Sequence, residues 1–483
     1  MIVFVDELDG EEKINVYQAY DFIFGSATAA YQIEGGWSDD GKGESHWDRW
    51  THCTPSLIAN GDNADVACDS YHNYKEDVAL LANMGAQFYR FSISWPRILP
   101  DGLVHKINEP GVQYYRNLIS ELKHNNILPF ATLYHWDLPQ KLSELGGWTN
   151  PWILSWFTDY ARLCFQLFGD DVKHWMTINE PKQVCSFSYG IGLLAPGVCS
   201  PGVGEYLAVH NVIRAHAEVY HVYNKEFRCK QGGMLGIVVD SPWYEPEDPG
   251  NPDDVAAVDS KLLFGIGIYL HPLVFGDYPD VVKEKVKRRS EVQGFQRSRL
   301  PEFNDDEKLK LKKCFDFIGL NYYTSGIAKG DRSNPEGKGC FVDCEAIEYQ
   351  AHCWESCALF WLKVVPKGIR HVLKWLTDHF ERPLIYITEN GYADNGGLED
   401  YARINYIKRH LSQVKDAIDL DNCNVKGYAY WSLLDNFEWR EGFRPRMGLI
   451  SVDYRSPCRR RTPKKSAEYY KNVISARAVI DDQ

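Results

Sequence analysis

The sequence predicts an α/β fold, a single (β/α)8 barrel of the TIM type with extended loops on one face, and three observations predict it. Eight compact apolar runs recur along the 483 residues, longer amphipathic stretches separate them, and most runs end in polar or aromatic residues. Strands alternating with helices build a parallel sheet, and eight is the number that closes it. A doubly wound sheet would gather only a few strand ends at its switch point, whereas a barrel brings every strand's carboxyl end to one face. Length alone would suggest two or three domains. The eight-fold rhythm instead favours one barrel domain over 1–483, with 1–20 a short N-terminal extension.

In chain order, FIFGSATAAYQIEG (22–35) is the first run and closes on Gln32 and Glu34. YHNYKEDVALLANMG (71–85) follows, with apolar residues near i, i+3, i+4 and i+7, the spacing of a one-sided helix. FYRFSISW (88–95) is the second run and GVQYYRNLISELKHN (111–125) the next helix. LPFATLYHWDLP (128–139) carries His135 and Asp137 at its end, and WFTDYARLCFQLFG (156–169) returns as helix. HWMTINEP (174–181) ends in Asn179 and Glu180, MLGIVVDS (234–241) is the fifth run, and FDFIGLNYYT (315–324) ends in Asn321 and Tyr323. In PLIYITENG (383–391), Leu384–Ile387 reads as a strand buried on both faces and Asn390-Gly391 as its closing turn. Glu389 stands just before that turn. DYARINYIKRHLSQVKDAI (400–418) is helical, and VKGYAYWSLLD (425–435) completes the eight.

Composition removes whole classes of function. A net charge of −13 lacks the basic footprint of a nucleic-acid binder. No unbroken apolar window reaches the length of a membrane span, so no membrane partner is expected. The opening MIVFVDELDGEEKINVY has no basic n-region and no cleavage site, and is a poor signal peptide. Thirteen cysteines are many for a cytosolic enzyme, and Cys340, Cys344, Cys353 and Cys357 crowd one loop-like stretch with no histidine at ligand spacing. Disulfides in a secreted protein are therefore expected ahead of a zinc site, with no pairing readable. The absence of any Asn-x-Ser/Thr acceptor gives secretion no further support. Aromatic residues reach 14%, enough to supply both core and sugar-stacking surfaces.

Two carboxylates in matched contexts, Glu180 after Asn179 and Glu389 before Asn390, end two different strands. Either alone reads as a capping or salt-bridging acid. Facing each other across a sugar-sized pocket they are the equipment of glycoside hydrolysis. One serves as acid and base on the glycosidic oxygen, and the other attacks the anomeric carbon or activates water.

At this point the motifs resemble the β-glucosidase-like enzymes of glycoside hydrolase family 1, in phrasing closest to arthropod β-glucosidases and myrosinases. TINEP resembles that family's acid/base motif and ITENG its nucleophile motif. FIFGSATAAYQIEG, YRFSISWPRI, YHWDLPQ, DFIGLNYYT, WSLLDNFEW and RTPKKS follow in the family's order. The resemblance implies a retaining mechanism with Glu180 as acid/base and Glu389 as nucleophile, the latter oriented and kept ionised by Arg90 and Tyr323. It implies that Gln32, His135, Asn179, Glu438 and Trp439 bind the sugar hydroxyls, with Asn321 beside them. It further implies that Trp431 lies beneath the ring and Trp361 flanks the leaving group. The family usually has Phe where this chain has Met447; a flexible thioether there is expected to tolerate fucosides or galactosides beside glucosides.

The expected partner is a small β-glycoside. No metal or organic cofactor is implied, and a homodimer is left open. Retention of Glu180 makes O-glycoside hydrolysis the default, with thioglucoside cleavage as the alternative. A non-catalytic carbohydrate-binding protein on the same fold is the alternative of another class, and transglycosylation would use the same covalent intermediate. A phospho-sugar substrate is disfavoured by a negative Glu438. The run CRRRTPKKS (458–466) reads as a solvated basic surface.

Overall fold

The computed structural model describes residues 14–15 and 22–480. Most of the N-terminal extension, and the leader reading made on it, lie outside the described residues; Ile14–Asn15 pair antiparallel with Ala478–Val479.

All eight apolar runs are barrel strands: β1 (Ile23–Ala27), β2 (Phe88–Ser92), β3 (Leu128–Tyr134), β4 (His174–Asn179), β5 (Met234–Asp240), β6 (Phe317–Asn321), β7 (Ile385–Glu389) and β8 (Val425–Trp431). Each pairs in parallel with its neighbours in sequence order, and β8 returns to β1 to close the barrel. The four predicted helices are present as Ser70–Asn83, Glu109–His124, Ile153–Phe168 and Tyr401–Asp419. The second begins two residues before its periodic pattern, because Pro110 suits a first helical turn whose N–H groups need no partner.

Alternation within each strand sorts the layers. Phe88, Phe130, Met176, Val238, Phe317 and Tyr386 point into the barrel and pack on one another, with Phe88–Phe130 ring centroids at 4.5 Å and Phe317–Tyr386 at 5.3 Å. This aromatic plug makes the barrel a packed core and gives the site above it a dry floor. Two residues further along β2 and β3, Arg90 and Thr132 occupy the same inward positions one layer higher, and Asn321, four residues beyond Phe317, ends β6 at the carboxyl face.

Two expectations are corrected. All thirteen cysteines are free thiols. The clustered Cys340 and Cys344 are buried instead in the packing of their loop, with Cys340 Sγ 3.0 Å from Ser186 Oγ. The helical stretch Pro252–Phe275 is, by length and composition, apolar enough to cross a membrane, contrary to the sequence reading. Of its most apolar window 72% is buried inside the fold, as in a core helix of a globular protein.

Candidate active site

The loops above the carboxyl ends of the strands enclose a cleft of about 780 Å³. Gln32, His135, Glu180, Asn321, Tyr323, Trp361, Glu389, Trp431, Glu438, Trp439 and Met447 all line it. Arg90 and Asn179 stand wholly buried in the wall behind the two glutamates. The structure thus brings all thirteen residues singled out from the sequence to one site. Glu34, Asp137 and Asn390, which also end apolar runs, do not line it. Glu34 pairs with buried Arg97 at 2.8 Å, and Asn390 is bonded to the Tyr322 carbonyl and to the Tyr406 and Tyr428 hydroxyls.

Glu180 and Glu389 reach the cleft through irregular backbone. The β4–β5 ladder shifts register between Met176 and Asn179, and the β6–β7 ladder shifts between Ile387 and Glu389. Such shifts re-aim side chains that strict alternation would turn elsewhere. Glu180 also sits at φ +47°, a left-handed conformation that is strained for a residue with a Cβ and recurs at functional sites. Gly391 explains the end of ITENG: a Cβ there would fall 1.8 Å from the Trp431 carbonyl oxygen, so only glycine lets β8 pass so close.

The two carboxyls are held differently. The Arg90 guanidinium donates to Glu389 Oε1 (2.5 Å), to Asn179 Oδ1 (2.6 Å) and to Thr132 Oγ1 (3.1 Å). The Tyr323 hydroxyl donates to Glu389 Oε2 (2.6 Å). Glu180 receives one hydrogen bond, from Asn321 Nδ2 (2.8 Å), whose own carbonyl accepts from Thr388 Oγ1 (2.7 Å). Burial pushes both carboxyls upward, but unequally. Glu180 is raised well above the usual range by burial, then by the charges of Asp240 and Glu389. For Glu389, burial raises while Arg90 and Tyr323 pull back. The proton shared by the pair therefore resides on Glu180, leaving Glu389 charged.

The surrounding groups are polar handles on an aromatic frame. Asn179 Nδ2 donates to His135 Nε2 at 3.1 Å, which leaves the ring proton on Nδ1, a buried donor with no protein partner. Burial and the nearby Arg90 charge keep this imidazole neutral. Gln32 donates to Asn436 Oδ1 (3.0 Å) and the Phe437 carbonyl (2.8 Å), and its Oε1 is buried without a partner. One donor and one acceptor, on two side chains that line the cleft, are thus left without a protein partner. Burial, then the Glu389 charge, push Glu438 to about 8. Its repulsion of a 6-phosphate is accordingly complete only above that pH. Trp439 packs on Trp136 (4.5 Å) and Trp47 (4.7 Å), and Trp431 lies 5.9 Å from His135 in stacked orientation. Trp361 is about one-third exposed at the mouth, edge-on to Tyr323 at 5.8 Å.

The sequence reading missed Trp136, Lys182, Phe187, Asp240, Tyr244 and Glu348, which also line the cleft. Asp240 had a legible signal, an acid ending the apolar run MLGIVVDS. The others lie in the connections between barrel strands, Lys182 and Phe187 in a helical turn, Tyr244 and Glu348 in short strands outside the barrel, where no periodicity marks a pocket. Among the described residues no cluster of His, Cys, Asp and Glu is arranged to hold a metal ion.

Comparison with known proteins matches residues 16–479 to Glycosyl hydrolase family 1. Myrosinase 1 of Brevicoryne brassicae is 43% identical over 457 residues, covering 94% of this chain and 98% of that protein. The human cytosolic beta-glucosidase is 41% identical, covering 94% of this chain and 97% of that protein. Among solved structures, an aphid myrosinase superposes with a TM-score of 0.91 at 42% identity, covering 96% of this chain and 99% of that one.

Proposed function

The chain belongs to glycosyl hydrolase family 1 and is a β-glucosidase-type glycosyl hydrolase of the retaining class, and from that premise we propose that it hydrolyses small β-glucosides with Glu389 as nucleophile and Glu180 as acid/base. The observation that carries this reading is the inequality of the two cleft carboxyls. Glu389 is gripped by Arg90 and Tyr323, while Glu180 keeps the proton.

In the first step Glu389 attacks the anomeric carbon as Glu180 gives its proton to the departing glycosidic oxygen, and a glucosyl ester forms. Esterification removes the Glu389 charge that helped hold the proton on Glu180, so the freed Glu180 carboxylate then accepts a proton from the incoming water. Water attacks the anomeric carbon, the ester breaks, and configuration is retained. Gln32 Oε1 and His135 Nδ1 supply an acceptor and a donor for ring hydroxyls, with Trp431 as the platform. Asn179, fixed by Arg90, is placed for the 2-hydroxyl, where hydrogen bonds strengthen in the transition state.

The test is turnover of p-nitrophenyl β-glucoside, β-galactoside and β-fucoside, cellobiose and an aryl glucosinolate by the wild type, Glu389→Gln and Glu180→Gln. Glu389→Gln should abolish hydrolysis. Glu180→Gln should lose about 10²–10⁴-fold on unactivated glucosides, the usual contribution of general acid catalysis, and far less on activated aryl ones. Equal loss on both substrate types would sink the acid/base assignment. Similarity to two proteins named myrosinase supports a second reading, cleavage of thioglucosides, which the glucosinolate arm decides.

A further inference from the structure

We infer that the leaving-group end of this cleft is an acidic half-site centred on Asp240, which takes an aglycone bearing a hydrogen-bond donor and rejects one bearing a negative charge. The inference rests on the glycosidase reading above and deepens it by naming the aglycone class.

Asp240 ends β5, on the strand next to Glu180. Asn179 is in register with Val238, the Glu180 amide donates to the Val238 carbonyl at 2.9 Å, and Asp240 lies two residues further along. Both side chains line the cleft. Asp240 is 8% exposed, and its Oδ2 accepts from Gln183 Nε2 at 3.0 Å and from Lys182 Nζ at 3.4 Å. These contacts fix the carboxylate. Its Oδ1 is buried and accepts no hydrogen bond from the protein. An unpaired oxygen of a buried carboxylate is costly, and a donor on the ligand would relieve that cost.

The cleft is lined by six acids, Glu180, Asp240, Glu348, Glu389, Glu438 and Glu441, and by two cations, Lys182 and Arg440. Glu180 holds its proton and Glu438 is pushed to about 8, while Asp240, Glu389 and Glu441 are paired with Lys182, Arg90 and Arg444. Arg440 Nε donates to the Leu57 carbonyl, which leaves its charge unpaired among the described residues. Lys261, behind the wall, is paired with Glu348 at 3.0 Å. A sulfonated or carboxylated aglycone would bring its own acceptor oxygens against the unpaired Asp240 Oδ1, in surroundings where repulsion is poorly screened. Trp361, Phe360 and Phe187 supply apolar surface for the body of the aglycone.

The experiment uses three aryl β-glucosides of near-equal leaving-group acidity, so that demand on Glu180 cancels: meta-hydroxymethyl, meta-methyl and meta-sulfomethyl phenyl glucosides. Values of kcat/KM are compared as ratios to the methyl compound in wild type, Asp240→Asn and Asp240→Ala. Wild type should favour the hydroxymethyl compound about tenfold, the worth of one hydrogen bond to a charged acceptor, and disfavour the sulfonate by a similar factor. Asp240→Ala should bring the hydroxymethyl ratio close to one. Asp240→Asn, which keeps the shape, should raise the sulfonate ratio severalfold. A wild type that accepts the sulfonate as readily as the methyl compound, or ratios unchanged in both variants, would overturn this inference and leave the glycosidase reading standing. Failure of wild type to cleave any of the three would overturn both.

Discussion

Tyr323→Phe isolates one hydrogen bond to the proposed nucleophile. The Tyr323 hydroxyl donates to Glu389 Oε2 at 2.6 Å, while its ring packs edge-on to Trp361. Burial and the adjacent Glu389 charge hold this phenol well above its ordinary pKa, so it is a neutral donor at every working pH. Replacing it by Phe keeps the ring and removes only the donor. A hydrogen bond to a charged group is worth about 1.5–3 kcal/mol, and 1.36 kcal/mol corresponds to about one pKa unit. Without the donor the charged form of Glu389 is disfavoured, so its pKa rises by about one to two units. Because the nucleophile must be ionised, activity is lost first at low pH and the acid limb of kcat/KM moves upward by that amount.

The pH profile should be recorded with an activated aryl glucoside. It should then be repeated in a Glu180→Gln background, because the limbs of an interacting pair belong to the pair and not to one residue. With Glu180 neutral, the remaining acid limb reports Glu389. An acid limb that stays in place while the plateau drops would refute this reasoning and make Tyr323 a group that contacts substrate without tuning the nucleophile.

Other perturbations test other parts of the molecule. Met447 is 2% exposed at the cleft wall, and Met447→Phe should sharpen preference for glucoside over fucoside and galactoside; an unchanged ratio in the substrate panel would dismiss a role at the sugar site. Arg97→Met strands buried Glu34 without its partner and should cost about 3–5 kcal/mol, read as a lower denaturation midpoint at fixed scan rate. Thiol titration of the denatured chain without reductant should count thirteen, and reductant should leave the melting midpoint unchanged; a lower count would reveal a disulfide.

The sequence by itself determined the elements and most of the site's membership. Runs of five to seven apolar residues can be satisfied only as strands covered on both faces, and eight of them alternating with one-sided helices leave a barrel as the simplest closure. Polar residues at the ends of such runs have one face to share, which is why Gln32, His135, Glu180, Asn321 and Glu389 group together in the sequence alone. The same rule also offered Glu34, Asp137 and Asn390, and it had no means of removing them, because a polar residue at a strand end looks alike whether it faces the cleft or is buried away from it.

Tertiary structure decided the rest. The register shifts in β4 and β7 turn Asn179 and Glu389 inward, and a shift of register depends on the neighbouring strand, not on the segment's own periodicity. Which of two glutamates keeps the proton depends on Arg90 and Tyr323, 299 and 66 residues from Glu389, and on Asp240 across the β5 edge. Those distances are closed only when the barrel is. Electrostatics acts through space, so the identity of each carboxylate was written in the sequence and its charge was set by the fold.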